Sequence, residues 1–149
     1  MVDLQQLHQT DFNLWTEAVT KAIAERDFSN MNWDNLIEEI EDIGASQKRA
    51  LRSYTQRLIE HIFKIQYWES ERHRNLNGWK AEIINFRTEI QNILEDSPSL
   101  KNYLAENYPN WYQKSVQKYK KDNLFKVPEH SPIELEQILS NGYFGLENI

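Results

Sequence analysis

The longest regular pattern of apolar positions runs from Asn32 to Trp68, and it predicts one long amphipathic helix. The stretch contains no Pro and a single Gly, Gly44. At about 100° per residue, its apolar side chains fall within about 80° of Leu36 on a helical wheel. Asn32 is the expected N-cap, and Gly44 is expected to allow another helix to approach closely. The apolar positions after Leu36 are Ile40, Ile43, Ala50, Leu51, Tyr54, Leu58, Ile62, Ile65 and Trp68.

Helical spacing also predicts a helix on either side of the long one. The first begins at Thr10 or Asp11, either of which can cap it, and ends near Arg26. The other covers residues 79–96 and follows a charged connection over residues 69–77.

The last third of the chain predicts two more helices and a tail. Ser97 can cap a fourth helix with Pro98 at its first helical position, where the missing N–H is not needed. Pro109 is expected to kink this helix or to divide it. A capping-box pattern at the start of residues 131–140 predicts a short last helix, and the remaining tail is expected to be a loop.

These elements predict an all-α fold, an antiparallel up-and-down four-helix bundle built around the long helix (residues 32–68), plus the short C-terminal helix. The chain of 149 residues is expected to form a single domain with its core over residues 10–140. Four Gly and four Pro residues are few for an all-β fold. Disulfides and thiolate metal sites are excluded because the sequence has no Cys.

Charge is distributed unevenly along the chain. Residues 1–45 hold ten acids and two bases, residues 46–126 hold nine acids and fifteen bases, and the overall net charge is −6. No apolar run approaches the roughly 20 residues that cross a bilayer, so no membrane partner is expected. The N-terminus lacks the order of a signal peptide, and a soluble cytoplasmic protein is the expectation.

Polar residues on the apolar side of the long helix predict a buried polar network. Glu39 lies at the border of this side beside the line of Arg57, and its expected partner is Arg57, Arg87 or another base. Gln47 and His61 point into the apolar side. The predicted network is Glu39, Gln47, Arg57, His61 and Arg87, and its role is expected to be structural.

The acidic cluster and His61 also leave a metal-dependent enzyme open as a less favoured alternative. The cluster consists of Glu38, Glu39, Glu41 and Asp42, which can simply offset the positive end of the helix dipole. Bundle metal sites use Glu-x-x-His, and this spacing does not occur here. We therefore predict no catalytic residue, no metal ligand and no cofactor, although the sequence does not decide whether this cluster is structural or functional.

A basic segment in the fourth helix leaves nucleic-acid binding as another alternative. Tyr112 and Tyr119 lie among lysines, so the rings could stack on bases while the ammonium groups meet phosphates. The lysines are Lys114, Lys118, Lys120 and Lys121.

Several segments together resemble the family called domain of unknown function 29, helical proteins frequent in cyanobacteria. The resemblance covers about residues 10–140 and implies an all-helical domain. The family has no established activity, so the resemblance implies no mechanism. The segments are DFNLW (residues 11–15), NWDNLIEEIEDIG (32–44), HIFKIQY (61–67), WKAEIINFR (79–87) and SPSL (97–100).

The function expected from the sequence is protein–protein interaction or self-association without catalytic activity. Trp33, which opens the long helix beside a loop, is one candidate anchor for a partner, and Tyr143 and Phe144 in the tail are another. The partner is either an unidentified protein or a second copy of the chain.

Overall fold

The computed structural model describes residues 2–149, which are 75% helical and contain no strand. The predicted all-α fold is thus confirmed, with a long helix packed against others and a short C-terminal helix. None of the helices in this range is both long and apolar enough to cross a membrane. The helices are α1 (Leu4–Thr10), α2 (Phe12–Glu25), α3 (Trp33–Tyr67), α4 (Glu69–Asp96), α5 (Leu100–Asp122) and α6 (Leu135–Ile138).

The chain divides into two compact units, Met1–Ser46 and Gln47–Ile149, with the boundary inside α3. The prediction of a single domain, like the up-and-down order of the bundle, stays a prediction.

The N-terminal unit has a small core. Leu4, Trp15 and Val19 are buried, and Leu36 of α3 is partly buried against them. Asp11 accepts a hydrogen bond from the backbone N–H of Leu14, as expected of the predicted N-cap. The sequence pattern did not predict α1, which is only seven residues long.

The C-terminal unit holds the larger core, in which the later part of α3 packs with α4 and α5. Nineteen buried apolar residues form one cluster, against three in the N-terminal unit. Leu51, Leu58 and Ile62 of α3 are fully buried in it. The predicted inward face is correct for this part of the long helix.

The first part of α3 differs from the prediction. Asn32 caps the helix as expected, because its side-chain oxygen accepts a hydrogen bond from the backbone N–H of Asn35. However, the side chains of Ile40 and Ile43 are 59% and 66% exposed. The prediction of a close helix approach at Gly44 was wrong as well, since nothing lies within 4 Å of a Cβ placed there.

The predicted connection at residues 69–77 is helical and opens α4. Only Trp68 separates α3 from α4. Glu71 forms an ion pair with Arg74, and the Asn75 side chain donates to the Glu71 carbonyl, so these three polar side chains find partners within the helix. The prediction of a loop rested on the charged composition of this segment. The spacing of apolar residues gives no information on such local polar contacts.

α5 begins later than predicted and runs through Pro109 as one helix. Ser97 follows the end of α4, and its hydroxyl donates to the Gln47 side chain instead of capping α5. The predicted capping box was also wrong, because the helix covers only Leu135–Ile138. Ile133 instead lies buried in an extended segment, where the Tyr108 hydroxyl donates to its carbonyl over 2.6 Å.

Candidate interaction surface

The structure does not join the five residues of the predicted polar network. Glu39 is half-buried and accepts from Nε2 of His8 over 2.7 Å. The His8 ring packs edge-on against Trp15, with 4.9 Å between ring centroids. The partner of Glu39 is therefore a histidine within its own unit, and neither Arg57 nor Arg87.

Gln47 and Arg57 lie in separate polar environments of the C-terminal unit and do not share a partner. The Oε1 atom of Gln47 accepts from the Ser97 hydroxyl over 3.1 Å. Arg57 is exposed, and only its backbone carbonyl contributes to a site, by accepting from Nδ1 of His61 over 2.8 Å. The Arg57 guanidinium thus lies outside any buried network.

His61 is buried on α3 between two acceptors and an aromatic ring. Its Nδ1 donates to the Arg57 carbonyl, its Nε2 contacts the Glu82 carboxylate on α4, and its ring packs edge-on against Phe86. Burial lowers the pKa of His61, while the Arg57 carbonyl and the Glu82 carboxylate oppose that shift. The loss of hydration on burial outweighs the help from Glu82, which is itself largely exposed to water.

Arg87 is 2% exposed, and its side chain binds backbone carbonyls of the C-terminal segment. Its Nε donates to the Ile138 carbonyl over 2.9 Å, and its Nη2 donates to the Tyr143 carbonyl. Burial lowers the pKa of Arg87 to about 10, so the guanidinium stays charged at neutral pH. Arg87 therefore fastens the end of the chain to α4.

The tail is a docked segment, which corrects its assignment as an anchor for a partner. Tyr143 and Phe144 are partly buried against the core of the C-terminal unit. Gln66 donates to the carbonyl of Gly145 over 3.1 Å. Gly145 has φ +94°, and a Cβ there would lie 2.7 Å from Cγ of Gln66, so the docked turn requires glycine.

The basic segment of α5 lacks the aromatic surface that nucleic-acid stacking would need. Tyr112 and Tyr119 are 2% and 4% exposed, with their rings packed around Phe63. Lys118 pairs with Glu60 over 3.0 Å. The segment is a row of exposed lysines whose tyrosines face inward; the exposed lysines are Lys114, Lys118, Lys120 and Lys121.

A Tyr–His pair in the C-terminal unit was missed by sequence reasoning. Nδ1 of His130 donates to the Pro128 carbonyl over 2.9 Å, which leaves Nε2 to accept from the Tyr112 hydroxyl. Burial raises the pKa of Tyr112 to about 12, so its hydroxyl remains a donor. The pair fastens the extended segment before α6 to α5, and no periodicity in that segment signalled it.

Within residues 2–149, no three His, Asp or Glu side chains form a group that could hold a metal ion. At His61 the carboxylate in contact is that of Glu82, and the acids Glu38, Glu41 and Asp42 are exposed on the N-terminal unit. The acidic cluster and His61, which the metal alternative combines, thus lie in different units.

Exposed apolar side chains are concentrated in the N-terminal unit. Nine of the thirteen large exposed hydrophobic residues in the described range lie within residues 2–46, less than a third of the chain. Four of them form a row on the first turns of α3, which we call the open face. It consists of Trp33, Ile37, Ile40 and Ile43, with exposed fractions of 50%, 51%, 59% and 66%.

The open face has an apolar centre and an acidic edge. At about 100° per residue, its four side chains lie within about 60° of Ile40. On one side follow Asp34, Glu38 and Glu41, all exposed. On the other side lies Glu39, which contacts His8, and Leu36, which lies between Ile40 and Ile43 on the wheel, is partly buried against the core of the N-terminal unit.

The open face was only partly visible in the sequence. The exposure of Trp33 agrees with its proposal as an anchor, and the Phe28 ring lies beside it at 5.5 Å between centroids. Ile40 and Ile43, by contrast, were assigned to the core because they share the apolar side of the helix with residues that are buried further along.

Comparison with curated proteins and with solved structures gave no match. A protein-family model, described as Domain of unknown function DUF29, matches residues 7–144 of the 149. This span includes all of α2 to α6 and the tail as far as Phe144, and Tyr143 and Phe144 pack against the core of the C-terminal unit. The chain therefore belongs to the family Domain of unknown function DUF29.

Proposed function

We propose that this protein is a helical interaction module whose open face binds another protein chain. The observation that carries the proposal is the row of four large apolar side chains on consecutive turns of α3, each at least half exposed. Single exposed apolar residues are ordinary, whereas a contiguous row with a polar border is typical of an interaction site. A cytoplasmic location stays a prediction.

Two features of the row suit a protein ligand. It lies on a regular helix, so a partner meets a preformed surface and the cost of ordering it is small. It also includes Trp33, and tryptophan is among the residues that contribute most to binding energy at interfaces. No specific observation favours the nucleic-acid alternative, since its tyrosines are buried and the molecule is acidic overall.

The test compares two variants of the tagged full chain in its native cells. The double variant Ile37→Glu/Ile40→Glu places charge in the centre of the open face, and we expect it to lose the protein that co-purifies with the wild type. Ile84→Glu is the matched control, because Ile84 is equally exposed, at 54%, but lies on α4 in the other unit. Equal recovery of the same partner with both variants would refute the proposal.

A further inference from the structure

The chemistry of the open face restricts its partner further. We infer that the partner is a basic amphipathic helix of a different protein; this inference rests on the proposed function. The open face would receive the apolar side of that helix, and the acidic edge would meet its lysines and arginines.

The spacing of the apolar residues fits a helical ligand. Trp33, Ile37 and Ile40 follow one another at intervals of four and three residues, and Gly44 continues the series. Intervals of this kind make a seam along which a second helix packs its side chains. No atom lies within 4 Å of a Cβ placed at Gly44, and Trp33, Ile37 and Ile40 are each at least half exposed, so the seam is accessible at all four positions.

The charge along the seam selects a cationic partner. The stretch from Asp27 to Gln47 contains no Lys or Arg, while Asp34, Glu38 and Glu41 line the edge of the open face. Residues 1–46 as a whole carry ten acids and two bases, a net charge of −8. Such a field attracts a basic segment and repels nucleic acid, anionic lipid and acidic proteins.

The same charges disfavour a second copy of this chain as the occupant. A two-fold pairing of open faces would oppose one acidic edge with another, which is repulsive. The part of α3 that lies in the N-terminal unit contains no Lys or Arg that could offset this repulsion.

The experiment titrates the full chain into a fluorescently labelled synthetic helix of three heptads, with Leu on its apolar side and Lys along both borders. The comparison helix carries Glu in place of every Lys. We expect at least tenfold tighter binding of the Lys helix, weakened severalfold by raising the salt concentration from 50 to 500 mM. Ile37→Glu/Ile40→Glu should raise its dissociation constant at least tenfold, and Ile84→Glu should leave it unchanged.

A second pair of variants tests the acidic edge. Glu38→Gln/Glu41→Gln should weaken binding of the Lys helix severalfold, while Glu95→Gln/Glu106→Gln removes the same charge from exposed positions elsewhere and should not. Circular dichroism of each variant checks that it remains folded.

The outcomes separate this inference from the function on which it rests. Absence of binding to the Lys helix, or equal binding of both helices, overturns the inference. Another outcome is that light scattering shows the wild type to be a dimer and Ile37→Glu/Ile40→Glu to be a monomer. This result would overturn the inference of a basic helical partner but would leave the open face as a protein-binding surface. If this double variant changes neither self-association nor co-purification of a partner, the proposed function fails as well.

Discussion

At the scale of single residues, burial decides the role of each polar side chain. Two arginines that the sequence placed in one network have opposite environments: Arg87 is enclosed and donates to two backbone carbonyls, whereas Arg57 projects into water. His61 and Glu39, predicted in the same network, each form a His–carboxylate contact in a different unit. The helical wheel indicated which residues share one side of a helix, but it could identify neither their burial nor their partners.

Replacement of Arg87 should destabilise the protein. Arg87→Met keeps the length of the side chain but leaves the buried carbonyls of Ile138 and Tyr143 without their donors, at a cost of about 2–4 kcal/mol in the free energy of unfolding. Urea denaturation measures this change. Arg57→Met is the control, with a change of less than about 0.5 kcal/mol expected because the side chain is exposed. Equal effects would contradict the tail-fastening role of Arg87.

Removal of the Glu82 carboxylate should lower the pKa of His61 further. Glu82 opposes the effect of burial, so in Glu82→Gln the imidazolium loses its favourable partner. Titration of the His61 ring signals by NMR measures this pKa, and Glu95→Gln, an exposed acid on the same helix, should leave it unchanged. A pKa that stays the same or rises in Glu82→Gln would show that the contact does not stabilise the charged ring.

The lowered pKa of His61 also predicts a pH dependence of stability. As the pH falls below about 6.5, the ordinary value for histidine, the unfolded chain binds a proton that the folded chain does not yet accept. His61 therefore lowers the free energy of unfolding as the pH falls from the ordinary pKa of histidine toward the lower pKa of His61 in the folded protein. His61→Gln should reduce this slope in urea denaturation between pH 7 and pH 5, and an unchanged slope would contradict the assignment.

At the scale of elements, one sequence pattern serves two purposes in α3. The apolar side of its later part is covered by α4 and α5, while the corresponding side of its first turns carries the open face. Periodicity recognises an apolar side but not what covers it. The same limit explains the error at residues 69–77, where polar composition concealed a helix stabilised by its own side-chain contacts.

Gly44 lowers the stability of α3 without being required by the packing of the chain. It is exposed and helical, and a Cβ there meets no atom within 4 Å. Gly44→Ala should therefore raise the free energy of unfolding by about 1 kcal/mol, through the higher helix propensity of alanine. Thermal and urea denaturation measure the change. Gly145→Ala should have the opposite sign, because its Cβ would collide with Gln66. A loss of stability in Gly44→Ala would contradict the finding that the space around a Cβ at this position is free.

At the scale of the whole molecule, the two units differ in the size of their cores and in charge. The N-terminal unit buries three apolar residues in its cluster and carries most of the large exposed ones in the described range. The C-terminal unit buries nineteen, and Arg87 fastens its tail. A small core beside a strongly acidic surface suits a unit that gains stability from a bound partner.

This difference predicts unequal protection of the backbone from hydrogen exchange. Amides of α2 should exchange at least tenfold faster than those of α3 between Leu58 and Ile65, because opening the small core costs less free energy. Mass spectrometry of peptides from the exchanging protein measures both rates. Binding of the Lys helix should slow exchange of amides in residues 33–44, and equal protection of both units without ligand would contradict the prediction.

The sequence by itself determined the all-α class, the bounds of α3 to within a residue and the N-cap at Asn32, and it limited the N-cap of α2 to Thr10 or Asp11. These follow from spacing and local hydrogen bonding along a single helix. Only the tertiary structure decided that Arg87 holds the tail, that Tyr112 and Tyr119 face inward and that the open face is uncovered. The physical reason is that a helical wheel gives the direction of a side chain, whereas burial depends on contacts between residues distant in sequence.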